Sequence, residues 1–498
     1  MQIKHHHLPL QFFRIPKMIK TQPVSTPLST SLIFDLLIHA HTKFRNSEAA
    51  IFYLHRMLAC SLVPKSNTFN NLLLLLSSTH FPKALALLRE ANAGGRIPID
   101  ACSYNIIISR LCDAGELTEA LRLQTLFESC GGAPNLIMYT ILIAGHCKNG
   151  SLDEGRRLFS RLREMGLAPN EFTYTAMING CFKRGLREEG LQLCNEMKSV
   201  GVVPNLHTYN SLMAEYCKDC NMDNAFKVFD EMRLGGFAPN VVSYNVLIGG
   251  LCRQSRLKEA EKLLGRMRKE GIRPSTITFN ILINGFCKAG KMLKALSLLD
   301  CMKACGSCPT AITYNAIIDG FSRSGDLNGA SCAYKEMKER GLNPTEVTYT
   351  ILIDAFARIG DMERAVQVYH LMESSGLRGD VHTVGVLIRG FCAEGRVKNA
   401  ASLFRMMLEK GLKPSNVIYE TIIHGYCHEG SSFRALKLLR EMGENGMVPN
   451  VGSYGMVIRL LCREGKRREA EVLLKEMQGA GLQPQDWFFR ELSVAEVK

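Results

Sequence analysis

No aliphatic run in this sequence is longer than the five leucines Leu72–Leu76, against the roughly 20 apolar residues a membrane-spanning helix needs. Carboxylates are missing from the start of the chain: Lys4, Arg14, Lys17 and Lys20 all precede the first acid, Asp35. The same stretch has no continuous apolar core, so it is not a secretory signal, and the 18 cysteines lose the oxidising context that would make them a disulfide framework. A basic, acid-free, hydroxyl-containing start is instead the make-up of an organelle transit peptide, assigned here to residues 1–30. Within it the Phe12–Phe13–Arg14 cluster favours the mitochondrion over the plastid.

What is present suits a folded soluble chain. Hydrophobic residues make up 46% of 498 positions, too many residues for one hydrophobic core, so several domains or a repeat array are expected. Basic side chains exceed acidic ones by 61 − 47 = 14, which favours a polyanionic partner.

Self-similarity settles the architecture. Tyr244–Asn245 returns as Tyr104–Asn105, Tyr209–Asn210, Phe279–Asn280 and Tyr314–Asn315, and in a Tyr–Thr form at Tyr139–Thr140, Tyr174–Thr175 and Tyr349–Thr350. The spacing is 35 residues without insertion from Ser31 to Gln485, thirteen repeats in all. In the copy Val241–Ser275, Tyr244, Leu247, Ile248, Leu251 and Cys252 form one apolar helical face, and Ala260, Leu263, Leu264 and Met267 form a second. Between them a Gly recurs where a helix should end (Gly115, Gly150, Gly185, Gly290, Gly325), and a Pro at the phase of Pro274 turns the chain into the next copy. One hairpin cannot bury both faces alone. The expected fold is therefore all-α, a right-handed superhelical solenoid of helix-turn-helix repeats. Residues 486–498 are expected to start a capping helix, with Trp487 covering the exposed end.

The same periodicity explains most residues that look chemically special. Cys112, Cys147, Cys217, Cys252, Cys287, Cys392, Cys427 and Cys462 share one phase, so they lie one repeat apart and read as small core residues. Met197, Met232, Met267 and their successors to Met477 form a packing stripe. Cys301, Cys305 and Cys308 are the best local metal candidate, but without an evident fourth ligand they read as surface or packing thiols.

A unit of the form V-x-[ST]-Y-N-x-L-I-x-G-x-C-K-x-G…EA…L-x-x-M…G-x-x-P-[ND] resembles the pentatricopeptide repeat, and repeats of uniform length resemble its P class. The resemblance covers residues 31–485, about nine-tenths of the chain. It implies a plant organellar protein that binds single-stranded RNA, one base per repeat, read by a few side chains. It implies no cofactor and no catalysis; the partners are organellar RNA and other RNA-processing proteins, and the chain is expected to be monomeric. The reading pair is the fifth and thirty-fifth residue of each repeat, with an apolar second residue wedged between bases: Ile137, Val242, Ile277, Ile312, Val347 and Val417, with Phe172 as a variant.

Carried onto this chain, the resemblance assigns Asn70 with Asp100 to U and Asn105 with Asn135 to a pyrimidine. Thr140 with Asn170, and Thr175 with Asn205, select A. Asn210 with Asn240 takes a pyrimidine and Asn245 with Ser275 takes C. Asn280 with Thr310, and Asn315 with Thr345, are uncommon pairs assigned to pyrimidines, and Thr350 with Asp380 selects G. The implied target is 5′-U-Y-A-A-Y-C-Y-Y-G-3′, Y being a pyrimidine. Four pairs depart from the pattern: Asp35 with Lys65, Gly385 with Ser415, Glu420 with Asn450, and Gly455 with Gln485. A simpler role also exists for the thirty-fifth residue, since Asn, Asp, Ser and Thr are preferred helix N-caps. The rival for the whole chain is a protein-binding scaffold of tetratricopeptide type, whose unit is 34 residues with a different aromatic and Gly signature. A deaminase with H-x-E and P-C-x-x-C motifs finds no counterpart after Gln485.

Overall fold

The computed structural model describes residues 27–484 and Phe488. Among the described residues there are twenty-six α-helices and no strand, paired as helical hairpins at the 35-residue spacing. The chain is thus an all-α solenoid in its local architecture. It divides into two compact bodies, one running to Glu215 with Val228–Phe237 added, the other comprising Tyr216–Lys227 and the chain from Ala238 onward. No described helix is long and apolar enough to cross a membrane.

The hairpin Val241–Arg253 and Leu257–Lys269 shows how one repeat is built. Tyr244, Leu247, Ile248 and Leu251 on the first helix, and Ala260, Leu263, Leu264 and Met267 on the second, are all buried. The two helices pack against each other, and the first helix packs on the first helix of the next repeat, Thr276–Lys288. In both bodies the first helices thus form a continuous layer, while each second helix leans on its own partner. The methionine stripe is sealed throughout, from Met197 to Met477.

The cysteine stripe has a steric reason. A Cβ added to Gly145 would stand 2.5 Å from Cys112 Sγ, one on Gly180 2.7 Å from Cys147 Sγ, and one on Gly285 2.8 Å from Cys252 Sγ. Each of these three cysteines is a small knob resting on a glycine of the next first helix, which lets the two backbones approach closely. Burial pushes the thiols of Cys147, Cys287 and Cys427 up to about 12, so they stay neutral and act as apolar groups. Cys252, Cys392 and Cys427 are half-buried rather than sealed.

Gly150 and its equivalents adopt positive φ (86° at Gly150), the left-handed conformation that ends the first helix. Where the sequence has no Gly at that phase, Arg45, Cys220 and Ser255 take it instead (φ 55°, 57° and 59°). The second repeat departs from the even register. Its second helix, Phe81–Gly94, buries Ala84, Leu87, Leu88 and Ala91, one position earlier than the pattern of the other repeats. Pro82 at the start of this helix, with no Gly before it, shortens the connection by one residue. At the N-terminus the first helix is Pro27–Lys43, so it begins within the stretch read as leader. Trp487, expected to cap the array, lies outside the described residues; Phe488 beside it is buried in the C-terminal core.

Candidate functional site

In most repeats the second residue is apolar yet projects into solvent. Ile137, Phe172, Val242, Ile277, Ile312, Val347 and Val417 are each more than half exposed, from 52% at Val242 to 68% at Ile312. Isolated exposed apolar residues are ordinary, but a row of them at a 35-residue period, on helices whose core face is sealed, marks a contact surface.

The fifth residue sits deeper. Asn105, Thr175 and Asn210 are buried, and Asn70, Thr140, Asn245, Asn280, Asn315 and Thr350 are half-buried at the edge of the core. The thirty-fifth residue is the N-cap of the next first helix. Asn135 accepts the Met138 amide proton at 3.0 Å, Asn170 that of Thr173 at 3.0 Å, Asn205 that of Thr208 at 3.0 Å, and Asp380 that of Thr383 at 2.7 Å. Ser275 and Thr345 make longer bonds of the same kind, 3.3 Å and 3.4 Å. Capping is therefore real in these repeats, and it holds the side chain fixed beside the fifth residue of its own repeat.

What the sequence reading left without a role is the third residue, the [ST] of the motif. Its hydroxyl stands between the two members of the pair. Ser103 Oγ donates to Asn70 Oδ1 (2.6 Å) and lies 3.2 Å from Asp100 Oδ1, while Asn70 Nδ2 donates to both Asp100 oxygens at 3.1 and 3.2 Å. Thr173 joins Thr140 (2.8 Å) to Asn170 (2.8 Å), and Thr208 joins Thr175 (2.6 Å) to Asn205 (3.1 Å). Thr313 bridges Asn280 (2.6 Å) and Thr310 (3.4 Å), Thr348 bridges Asn315 (2.7 Å) and Thr345 (3.1 Å), and Thr383 bridges Thr350 and Asp380 (2.7 Å each). Period alone could have flagged the position, since Ser or Thr recurs there in most repeats.

Two pairs are not joined. Asn105 precedes Met138, which has no hydroxyl, and its Oδ1 is buried without a partner. Asn245 Oδ1 is also unpartnered, although a hydroxyl is present at the third position: that of Thr278 lies 3.1 Å from Ser275 and makes no bond to Asn245. Asn210 and Asn240 fall in different bodies. At Asp100 burial opposes ionisation, but the Ser103 backbone and the Asn70 amide outweigh it and hold the carboxyl below its usual range. Asp380 is held low the same way, burial being overcome by the Thr383 backbone and hydroxyl. Both are charged acceptors at neutral pH.

These residues line open clefts. One of about 440 Å³ in the first body is bounded by Ile137, Thr140, Asn170, Phe172, Thr175 and Asn205. Another of about 640 Å³ in the second body is bounded by Ile277, Asn280, Ile312 and Asn315, with Lys288 and Arg323 at its rim. Those two cations reveal a second overlooked period: the thirteenth residue is basic in seven consecutive repeats, Lys148, Lys183, Lys218, Arg253, Lys288, Arg323 and Arg358. Several rest on acids, as Lys148 on Asp113 (2.8 Å) and Arg323 on Asp319 (2.8 Å), in exposed pairs that cost little to exchange.

Among the departing pairs, Asp35 is buried and accepts the Lys65 amide proton at 3.2 Å. Gly385 and Gly455 bring no polar side chain. The described residues contain no cluster of three metal-ligating side chains. Cys301 instead accepts from Arg268 at 2.9 Å, in the place where Lys303 meets Glu336 (2.8 Å) one repeat later.

Comparison with known proteins bears on this arrangement. The PPR repeat family matches overlapping segments from 134–183 through 414–462, and a PPR repeat matches 102–131 and 452–482. A pentatricopeptide repeat-containing protein of Arabidopsis thaliana is 43% identical over 130 residues, which is 26% of this chain and only 23% of that protein. The crystal structure of the pentatricopeptide repeat protein PPR10 from maize is similar with a TM-score of 0.60 and 23% identity, over 98% of this chain and 77% of that one. PPR10 in complex with an 18-nt psaJ RNA element is similar with a TM-score of 0.52 and 20% identity, over 96% and 84%.

Proposed function

The chain belongs to the pentatricopeptide repeat family, and we propose that it is a P-class member that binds single-stranded organellar RNA as a monomer, one base per repeat. The observation that carries this reading is the recurring open cleft, in which polar fifth residues lie between two exposed apolar side chains, joined by the thirty-fifth residues Asn170 and Asn205 in one cleft and by the cations Lys288 and Arg323 in the other. Each part answers to a part of a single-stranded nucleotide. An unstacked base has two apolar faces, which Ile277 and Ile312 would cover from either side, and an edge of donors and acceptors facing the pair between them. The phosphate would replace the acid now resting on the thirteenth-position cation, so affinity should fall with salt. The similar maize protein's RNA complex supports the same occupant.

On this reading the target is 5′-UYAAYCYYG-3′, with the RNA 5′ end toward the protein N-terminus. The ionised Asp100 and Asp380 are acceptors, so the bases facing them must bring a donor, as U and G do through ring N–H groups. A chain that covers about nine nucleotides acts by occupancy: it blocks exonucleases, prevents RNA pairing, or exposes a splice or ribosome site. The basic leader supports a mitochondrial setting, and RNA recovered with the protein from purified mitochondria should contain the string. The direct test is Thr140→Asn on short synthetic RNAs. Preference at the one base facing Thr140 should move from A toward pyrimidine, by about 1–3 kcal/mol if the contact is worth as much as a good base contact elsewhere. An unchanged preference in a folded variant refutes the assignment.

A further inference from the structure

We infer that the hydroxyl at the third position of a repeat is a specificity-determining group for the repeat before it wherever it reaches that repeat's fifth-position Asn, as at Asn70, Asn280 and Asn315 but not at Asn245: it clamps the amide so that only the NH₂ side is offered to a base. This rests on the one-base-per-repeat reading above and adds to it a residue outside the reading pair.

The argument starts at Asn70, where chemistry fixes the amide's orientation. Its outer end faces both oxygens of Asp100, which are acceptors only, so that end must be Nδ2. The inner end is then Oδ1, and Ser103 Oγ at 2.6 Å must be its donor. Asn280 and Asn315 repeat the arrangement with Thr313 at 2.6 Å and Thr348 at 2.7 Å. Both threonine hydroxyls also accept a backbone N–H, from Thr310 and Thr345 at 3.0 Å each. With that acceptor site filled, the hydroxyl proton is directed at the amide oxygen, and the short O···O distance is that of an O–H donor. All three hydroxyl residues are fully buried, so water does not compete for the bond. A clamped Asn therefore presents a donor and requires an acceptor on the base.

Asn105 has no such clamp. Met138 occupies the third position, and the Asn105 side chain is 7% exposed with Oδ1 unpartnered. A buried amide oxygen without a donor is costly, and turning the amide over costs this site no hydroxyl bond. Asn105 can offer a donor or an acceptor, so bases of both kinds can satisfy it. The repeat holding Asn105 and Asn135 should discriminate less between bases than the repeats holding Asn280 or Asn315.

The experiment uses the full chain and synthetic single-stranded RNAs carrying the proposed string, each varied through all four bases at one position. In the parent protein the ratio of best to worst affinity should be smaller at the base facing Asn105 than at the base facing Asn280. Met138→Thr should raise the ratio at the first position, and Thr313→Val should lower it at the second, each by about three- to tenfold, the worth of one net hydrogen bond. Thr313→Ser keeps the hydroxyl and should restore the parent ratio, which separates loss of the clamp from loss of fold. If the parent shows base preferences and Thr140→Asn shifts its own base, but the Thr313 and Met138 variants leave both ratios unchanged, the clamp is overturned and the reading stands. If no base substitution changes affinity anywhere along the string, both fall.

Discussion

Three repeats in the middle of the second body, residues 241–345, and the last three, 381–485, share one packing scheme and differ in the groove. Met267, Met302 and Met337 are fully buried in the first set, and Met407, Met442 and Met477 are equally buried in the second. Tyr244, Phe279 and Tyr314 find counterparts in Val384, Tyr419 and Tyr454. Groove positions diverge. Asn245, Asn280 and Asn315 become Gly385, Glu420 and Gly455, and the cations Arg253 and Lys288 become Ala393 and His428, while Arg323 is matched by Arg463. The third-position hydroxyl is lost at Ile418, and at Ser453 it has no partner. Stacking and the proposed reading therefore fall on separate residue sets, and on that proposal an array can be extended by repeats that stack without reading.

That comparison would break if the last repeats proved to be loosely held as well as unreading. Met267→Ala and Met442→Ala should each destabilise their own region by about 2–5 kcal/mol, the usual cost of emptying a sealed methionine site. Because a solenoid opens locally, the measurement is native-state hydrogen exchange of the helices around each site rather than a single melting curve. A much smaller loss at Met442 would mean that the C-terminal core is already slack.

A finer difference lies in the spacing of the first helices. A Cβ on Gly250 would stand 2.5 Å from Cys217 Sγ and 2.7 Å from Met222 Sδ, whereas on Gly425 the nearest atoms are Cys392 Sγ at 3.0 Å and Val397 methyls at 3.4 Å. Gly250→Ala should cost about 1–3 kcal/mol, as overpacking does, and Gly425→Ala clearly less, read from the exchange protection of their helices. Equal costs would mean that both interfaces yield in the same way.

How far these features were legible in the sequence follows from how each one repeats. Hairpins, stripes and glycine ends recur with an apolar or conformational signature, and the structure places Tyr244, Ala260, Met267 and Gly150 where the period puts them. The one-residue shift of the second repeat was not legible, because Leu85 is as apolar as the Ala84 that fills the core site. Nor was the clamp. A Ser or Thr in the first turn of a helix reads as part of a capping box, and only three dimensions show that Thr313 also reaches back 33 residues to Asn280. The reading pairs stood out because Asn and Thr have mediocre helix propensity. Their capping partners were ambiguous, since one side chain fulfils both the local role and the proposed one.

The smallest effect is also the sharpest test of the separation. If reading is a set of groove residues laid over an unchanged scaffold, a silent repeat can be made to read. Gly385 lies ahead of Ser415, and Asn245 with Ser275 is the pair assigned to C, so Gly385→Asn supplies the missing member. A Cβ at Gly385 would come within 3.2–3.3 Å of the Ile418 side chain, which also stands where the clamp hydroxyl belongs. Gly385→Asn alone should therefore be crowded and unclamped, with little or no new preference. Together with Ile418→Thr, which removes the crowding branch and restores the hydroxyl, it should add a preference for C of a few-fold at one further 3′ position, by the worth of a single net hydrogen bond. Affinity for RNAs extended by one of the four bases reads this out. A new preference that appears with Gly385→Asn and does not grow with Ile418→Thr would show that side-chain identity at the fifth position suffices. No preference in the double variant, with its helices still protected, would show that the last repeats are turned from the RNA by something other than their groove residues.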